Sequence, residues 1–248
     1  MTIIQRLTAA LKAQAWGALT LEMVVLTLGI FLAFQVDRWY ESYRDGQLVS
    51  EYVTRLKGNL QSDIDILDDI VRTSTLRESN VDLLARSLTD PSVVDDAPTQ
   101  FVIALEQATY RFQLVAADAT YQELLSTGHM MLLPAATRGL LYEYYGHHSA
   151  YRQFDPAIDA VQAQAFERFA GIIPSDLFSA RLLSPAEQQD REYTQAEARA
   201  AAERFWQNDR AIAWLGRLKQ TQIQIGLQSE VTRDLAMSLV DHLEGLGS

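Results

Sequence analysis

The chain has 248 residues and no cysteine, with 21 Lys and Arg against 32 Asp and Glu, a formal net charge of −11. Three scattered lysines and an acidic balance argue against nucleic-acid binding, which needs clustered cations to neutralise phosphates. Without cysteine there is no disulfide scaffold, thiolate metal site or cysteine nucleophile.

In residues 1–15, Ile3, Ile4, Leu7 and Leu11 alternate with Gln5, Arg6, Thr8 and Lys12 at helical period, an amphipathic tail suited to a membrane surface. Residues 16–36, WGALTLEMVVLTLGIFLAFQV, carry one charge and predict a transmembrane helix, because a rise of about 1.5 Å per residue reaches across roughly 30 Å of hydrocarbon. Trp16 at one end and Trp39 and Tyr40 at the other suit the two membrane interfaces. No small-x-small site follows, so an uncleaved anchor is expected rather than a cleaved signal peptide. The basic tail and the acidic remainder place the N-terminus in the cytoplasm and residues 37–248 on the far side.

Glu22 falls within that expected span, where a carboxylate calls for a partner or a proton. Gly29 lies seven residues on and Ala33 four beyond, which puts all three within about a 60° sector of one helix. Gly29 and Ala33 form a small-xxx-small pair that admits a close helix, so Glu22, Gly29 and Ala33 are the candidate partner-docking residues. The alternative is that Glu22 snorkels and the small residues are incidental.

Residues 37–248 read as a helical domain. Gly46 is the first expected break. Tyr52, Leu56, Leu60, Ile64, Leu67 and Val71 form one stripe of a helix over residues 47–73. Shorter helices are predicted near 78–89, 98–113, 115–127, 134–150, 156–171 and 194–206. Asp155-Pro156 predicts a cap followed by a first-turn proline; Ser184 with Glu187 and Thr194 with Glu197 predict capping boxes; Gly128 predicts a left-handed C-terminus. Ile223, Leu227, Val231, Leu235, Leu239 and Leu243 predict the buried stripe of a last helix capped at Asn208-Asp209. The linkers are residues 89–98 and 172–185. No stretch alternates with period two, so the fold class is all-α: one N-terminal transmembrane helix and a multi-helix extracytoplasmic bundle.

Residues 21–64, with Glu22, Gly29, Gln35, Asp37, Trp39, Tyr52 and Leu56, resemble the opening of an uncharacterised family of bacterial single-pass membrane proteins, a domain of unknown function. Residues 119–145, ATYQELLSTGHMMLLPAATRGLLYEYY, are similar to a second element of that family, a Tyr-x-x-Leu-x-x-x-Gly pattern followed by a helix ending in paired tyrosines. The resemblance implies the bacterial inner membrane, with the C-terminal domain periplasmic, and lends no activity.

Catalytic motifs are missing: there is no GxSxG elbow, phosphate loop, Walker lysine or HExxH. Glu143 and His147 share a helix face, but their spacing is one residue longer than Glu-x-x-His. The run Asp63, Asp65, Asp68, Asp69 begins like a calcium loop, then fails at Asp68 and Ser74, where glycine and glutamate belong, and predicts a solvated helix face. Tyr142, Tyr144, Tyr145 and Tyr151 predict either inward packing or a stacking platform. No cofactor, metal or enzymatic activity is expected. The expected function is an accessory or scaffold subunit; its partners are the lipid bilayer and a membrane protein or complex, with homo-oligomerisation possible. The alternative is a small-ligand sensor or binding module acting through a partner protein.

Overall fold

The computed structural model describes residues 3–108, 110, 115–173 and 192–246, with side chains described from residue 21 onward. These residues form α1 (Ile3–Ser87), α2 (Ser92–Asp96), α3 (Pro98–Gln107), α4 (Ala119–Thr127), a 3-10 turn (His129–Leu132), α5 (Ala135–Arg152), α6 (Asp155–Phe169), α7 (Gln195–Trp206), α8 (Asp209–Ile212) and α9 (Leu215–Gly245). The chain divides into two compact units, Met1–Thr54 and Arg55–Ser248.

The all-α expectation holds for the bundle, but the membrane-spanning part does not. Among the described residues, no helix is long and apolar enough to cross a membrane. The described apolar run is residues 23–36, bounded by Glu22 on one side and Asp37 and Arg38 on the other. Fourteen residues of helix rise about 21 Å, short of a hydrocarbon layer of about 30 Å. The expected transmembrane helix at 16–36 is therefore corrected. With it go the single-pass signal anchor, the inner-membrane location and the division into cytoplasmic and periplasmic sides. Trp16 lies outside the described side chains.

Gly46 does not interrupt α1, and the separate helix expected near 78–89 is the continuation of the same helix to Ser87. Tyr52, Leu56, Leu60, Ile64 and Leu67 are buried as expected, and Ile70 takes the place of the half-buried Val71. The linker expected at 89–98 contains the short α2.

Local signals explain several helix ends. The Thr194 hydroxyl accepts the Glu197 N–H at 3.2 Å and the Glu197 carboxylate accepts the Thr194 N–H at 2.8 Å, closing the capping box at α7. Gly128 ends α4 at φ 76°, a left-handed conformation that glycine adopts without a Cβ clash. The Asn208 side chain accepts the Ala211 N–H at 3.0 Å and caps α8, although the long last helix begins only at Leu215. α6 begins at Asp155, with Phe154 rather than Asp155 in the cap position. The capping box at Ser184 and most of the linker at 172–185 lie outside the described residues.

In the second unit, α9 runs antiparallel to the later part of α1. Lys219 Nζ lies 2.8 Å from Asp82, Arg233 3.1 Å from Asp68, and Lys57 3.3 Å from Glu244. A Cβ placed on Gly226 would meet the Ser74 Cβ at 3.5 Å. α9 also packs along α5, and α7 packs on α2 and α3. The larger core joins Val81, Leu84, Phe101, Leu105, Phe205 and Leu218 with their neighbours, and a smaller one joins Leu67, Ile70, Ile158 and Ile225.

The stripe expected on the last helix holds at its C-terminal end, where Leu239 and Leu243 are buried, and is rotated before it: Ile223, Leu227 and Val231 are exposed, while Leu218, Ile225 and Ala236 are buried together with Thr221, Gln222, Ser229 and Thr232. The buried hydroxyls make this face tolerable: Thr221 and Thr232 donate to the carbonyls of Arg217 and Gln228 one turn back, at 2.9 and 2.8 Å.

Candidate functional site

Two regions carry the residues singled out in the sequence, one in each unit. In the first unit, every side chain of residues 21–36 is exposed. The large apolar ones, from Leu21 to Val36, are each 54 to 69% accessible. Glu22 and Ala33 are exposed, and nothing lies within 4 Å of a Cβ built on Gly29. The sector these three occupy is thus open, and helix periodicity alone aligns them. Trp39 and Tyr40 are exposed too, and Trp39 stacks on Tyr43 at 6.2 Å between ring centroids. Within this stretch Thr27 donates to the Met23 carbonyl at 2.7 Å, which keeps the hydroxyl satisfied on a largely apolar surface.

The second region is built around Asp63, a residue expected on a solvated face and found fully buried. Its two carboxylate oxygens accept the Ala117 N–H at 3.0 Å and the Tyr144 hydroxyl at 2.8 Å. The Tyr145 hydroxyl donates to the Ala117 carbonyl at 3.3 Å, so α1 and α5 together hold the loop that leads into α4. Tyr145 also stacks on Tyr121 at 4.1 Å and meets Tyr144 edge to face at 4.9 Å. Burial raises the Asp63 carboxyl above its ordinary value of 3.8, a larger effect than the lowering by its two hydrogen-bond donors. The same burial pushes the Tyr144 and Tyr145 hydroxyls up, with the Asp63 charge adding to it, so both remain neutral donors.

Of the four tyrosines, the structure brings Tyr144 and Tyr145 into this network. It leaves Tyr142 exposed and places Tyr151 against the smaller core. The other acids of the run behave as the sequence suggests: Asp68 and Asp69 are exposed and pair with Arg233 and Arg72. His147 and Glu143 do not converge on a cation; His147 Nδ1 instead lies 3.2 Å from the Thr232 hydroxyl of α9. Among the described residues, no group of three or more His, Asp or Glu side chains could hold a metal ion.

A cleft of about 690 Å³ opens beside the tyrosines, between α4 and the C-terminal half of α5. Sequence reasoning missed Tyr121 and Gly146, which help to form it. Tyr121 lies 24 positions before Tyr145 in sequence, and only the packing of α4 on α5 brings the rings together. Comparison with protein-family models, curated proteins and solved structures finds no match to this chain.

Proposed function

We propose that this chain is an accessory or scaffold subunit whose N-terminal helix seats in an apolar groove of a partner protein. The single observation that carries the reading is the exposure of every side chain over residues 21–36. Apolar patches of such extent mark interaction surfaces. Because the apolar residues cover all sides of the helix, one facing helix would leave most of them uncovered. The fitting occupant is therefore a multi-helix groove, as in helix-in-groove recognition. Gly29 and Ala33 give the closest approach, and Glu22, the one charge in the segment, sets the register by taking a hydrogen bond or a cation. The bundle of residues 55–248 is the part presented by this docking.

Cross-linking from positions 26 and 30 in the native host, followed by mass spectrometry of the captured proteins, tests the reading. The expected result is one dominant partner, lost with Gly29→Leu and reduced less by Glu22→Gln than by Glu22→Leu. Leu28→Ile serves as the control. Cross-links to lipid alone, or an unchanged partner in Gly29→Leu and Glu22→Leu, would overturn it.

A further inference from the structure

We infer that the cleft between α4 and α5 is a binding site for a small aromatic carboxylate. Its volume, about 690 Å³, lies within the range of small-molecule sites. Tyr121 and Tyr145, stacked nearly parallel at an interplanar angle of 13°, form a flat aromatic wall. Next to it on α5 is Gly146, where a built Cβ meets nothing within 4 Å, so the missing side chain leaves room at the wall.

Ser149 and Arg152 follow Gly146 at three-residue intervals and line the same cleft. Ser149 and Arg152 stand one turn apart on this face of α5. Arg152 makes no ion pair with any described residue, whereas Arg55, Lys57, Arg199, Lys219 and Arg233 all pair with acids of this acidic chain. A guanidinium and a hydroxyl lining one cleft suit a carboxylate. With the carboxylate there, a ring of benzoate size reaches back over Gly146 against the tyrosine pair.

Asp118, just before α4, lines the same cleft. Its Oδ2 accepts from Gln122 at 3.3 Å, leaving Oδ1 for a donor on the ligand. With that acceptor in the cleft, the class is a benzoate that also carries a hydroxyl or amino group. The wall is held in place by the buried Asp63–Tyr144 bond and by Tyr145 on the Ala117 carbonyl, so the site is formed without the ligand. It is separate from the docking surface of the first unit and does not depend on that reading.

Titration calorimetry on the full chain with 4-hydroxybenzoate is the test, alongside 4-hydroxybenzyl alcohol and hexanoate. Saturable binding of 4-hydroxybenzoate is expected, with Arg152→Gln and Gly146→Leu each weakening it at least about tenfold. The alcohol and hexanoate should each bind at least about tenfold more weakly than the benzoate. Gly139→Leu, at another α5 glycine with open space around it, should bind as the parent does and shows that a leucine in this helix is tolerated. Absence of binding overturns the proposal, as does equal binding by Arg152→Gln, a change at an exposed side chain. Equal affinity for hexanoate would remove the aromatic wall from the argument and overturn it as well.

Discussion

The Tyr144 hydroxyl donates to the Asp63 carboxylate at 2.8 Å, joining α5 to α1 with both partners fully buried. Asp63 has Leu60, Ile64 and Leu67 as helical neighbours, so its carboxylate sits on the buried side of α1. Its other oxygen fixes the Ala117 N–H, and the loop before α4 takes its position from that bond.

The raised Asp63 carboxyl makes a prediction about pH. The folded state holds this proton more tightly than the unfolded chain, whose carboxyl keeps the ordinary value of 3.8. The contribution is therefore fully present below that value and is lost as pH rises through the higher folded one. Urea denaturation across pH 3 to 8 should show that falling limb in the parent and a flatter one in Asp63→Asn. Asp63→Leu, which strands the Ala117 N–H and the Tyr144 hydroxyl, should cost about 2–4 kcal/mol. An unchanged pH profile in Asp63→Asn would show that another group titrates there.

At the crossing of α1 and α9, Gly226 faces Ser74 with 3.5 Å between a built Cβ and the serine Cβ. That is ordinary contact distance, so Gly226→Ala should stabilise the bundle by up to about 1 kcal/mol through helix propensity. Gly226→Leu overfills the crossing and should cost about 1–3 kcal/mol. The Ser74 hydroxyl is buried without a hydrogen-bond partner, and Ser74→Ala should raise the urea midpoint. A lower midpoint in Gly226→Ala would mean that the crossing is tighter than described, and one in Ser74→Ala that the hydroxyl has a partner.

Loss of the α7 capping box has a defined cost. Thr194→Ala removes the acceptor of the Glu197 N–H and should destabilise by about 1 kcal/mol. Thr194→Ser keeps the oxygen and should fall within a few tenths of the parent in thermal unfolding.

The rotation of α9 is testable by paired substitutions on one helix. Ile225 is 4% accessible and Leu227 57%, although both are large and apolar. Ile225→Ala should cost about 2–4 kcal/mol. Leu227→Gln should stay within about 0.5 kcal/mol of the parent, as surface changes do. Equal losses at the two positions would place the buried face where the apolar stripe alone suggested.

The sequence by itself determined the all-α class, because helical period runs through the chain and no stretch alternates with period two. It also determined several helix ends: Gly128 and the Thr194–Glu197 box are chemistry between residues at most a few positions apart, and the fold keeps them unchanged, while Asn208 keeps its cap on the short α8 rather than on the last helix. The alignment of Glu22, Gly29 and Ala33 is equally local, since it follows from helix pitch alone. Tertiary structure decided the rest. It buried Asp63 out of an acidic run and turned the first half of α9 so that its hydroxyl-bearing face meets the bundle and Leu227 does not. In each case the deciding partner is remote in sequence: Tyr144 and Ala117 for Asp63, and Asp82, Ser74 and Asp68 of α1 for the facing of α9. Periodicity reports where apolar residues lie on one helix. Which side is buried depends on what the neighbouring helix offers, and a polar side chain with a waiting partner can be buried where a leucine is left outside.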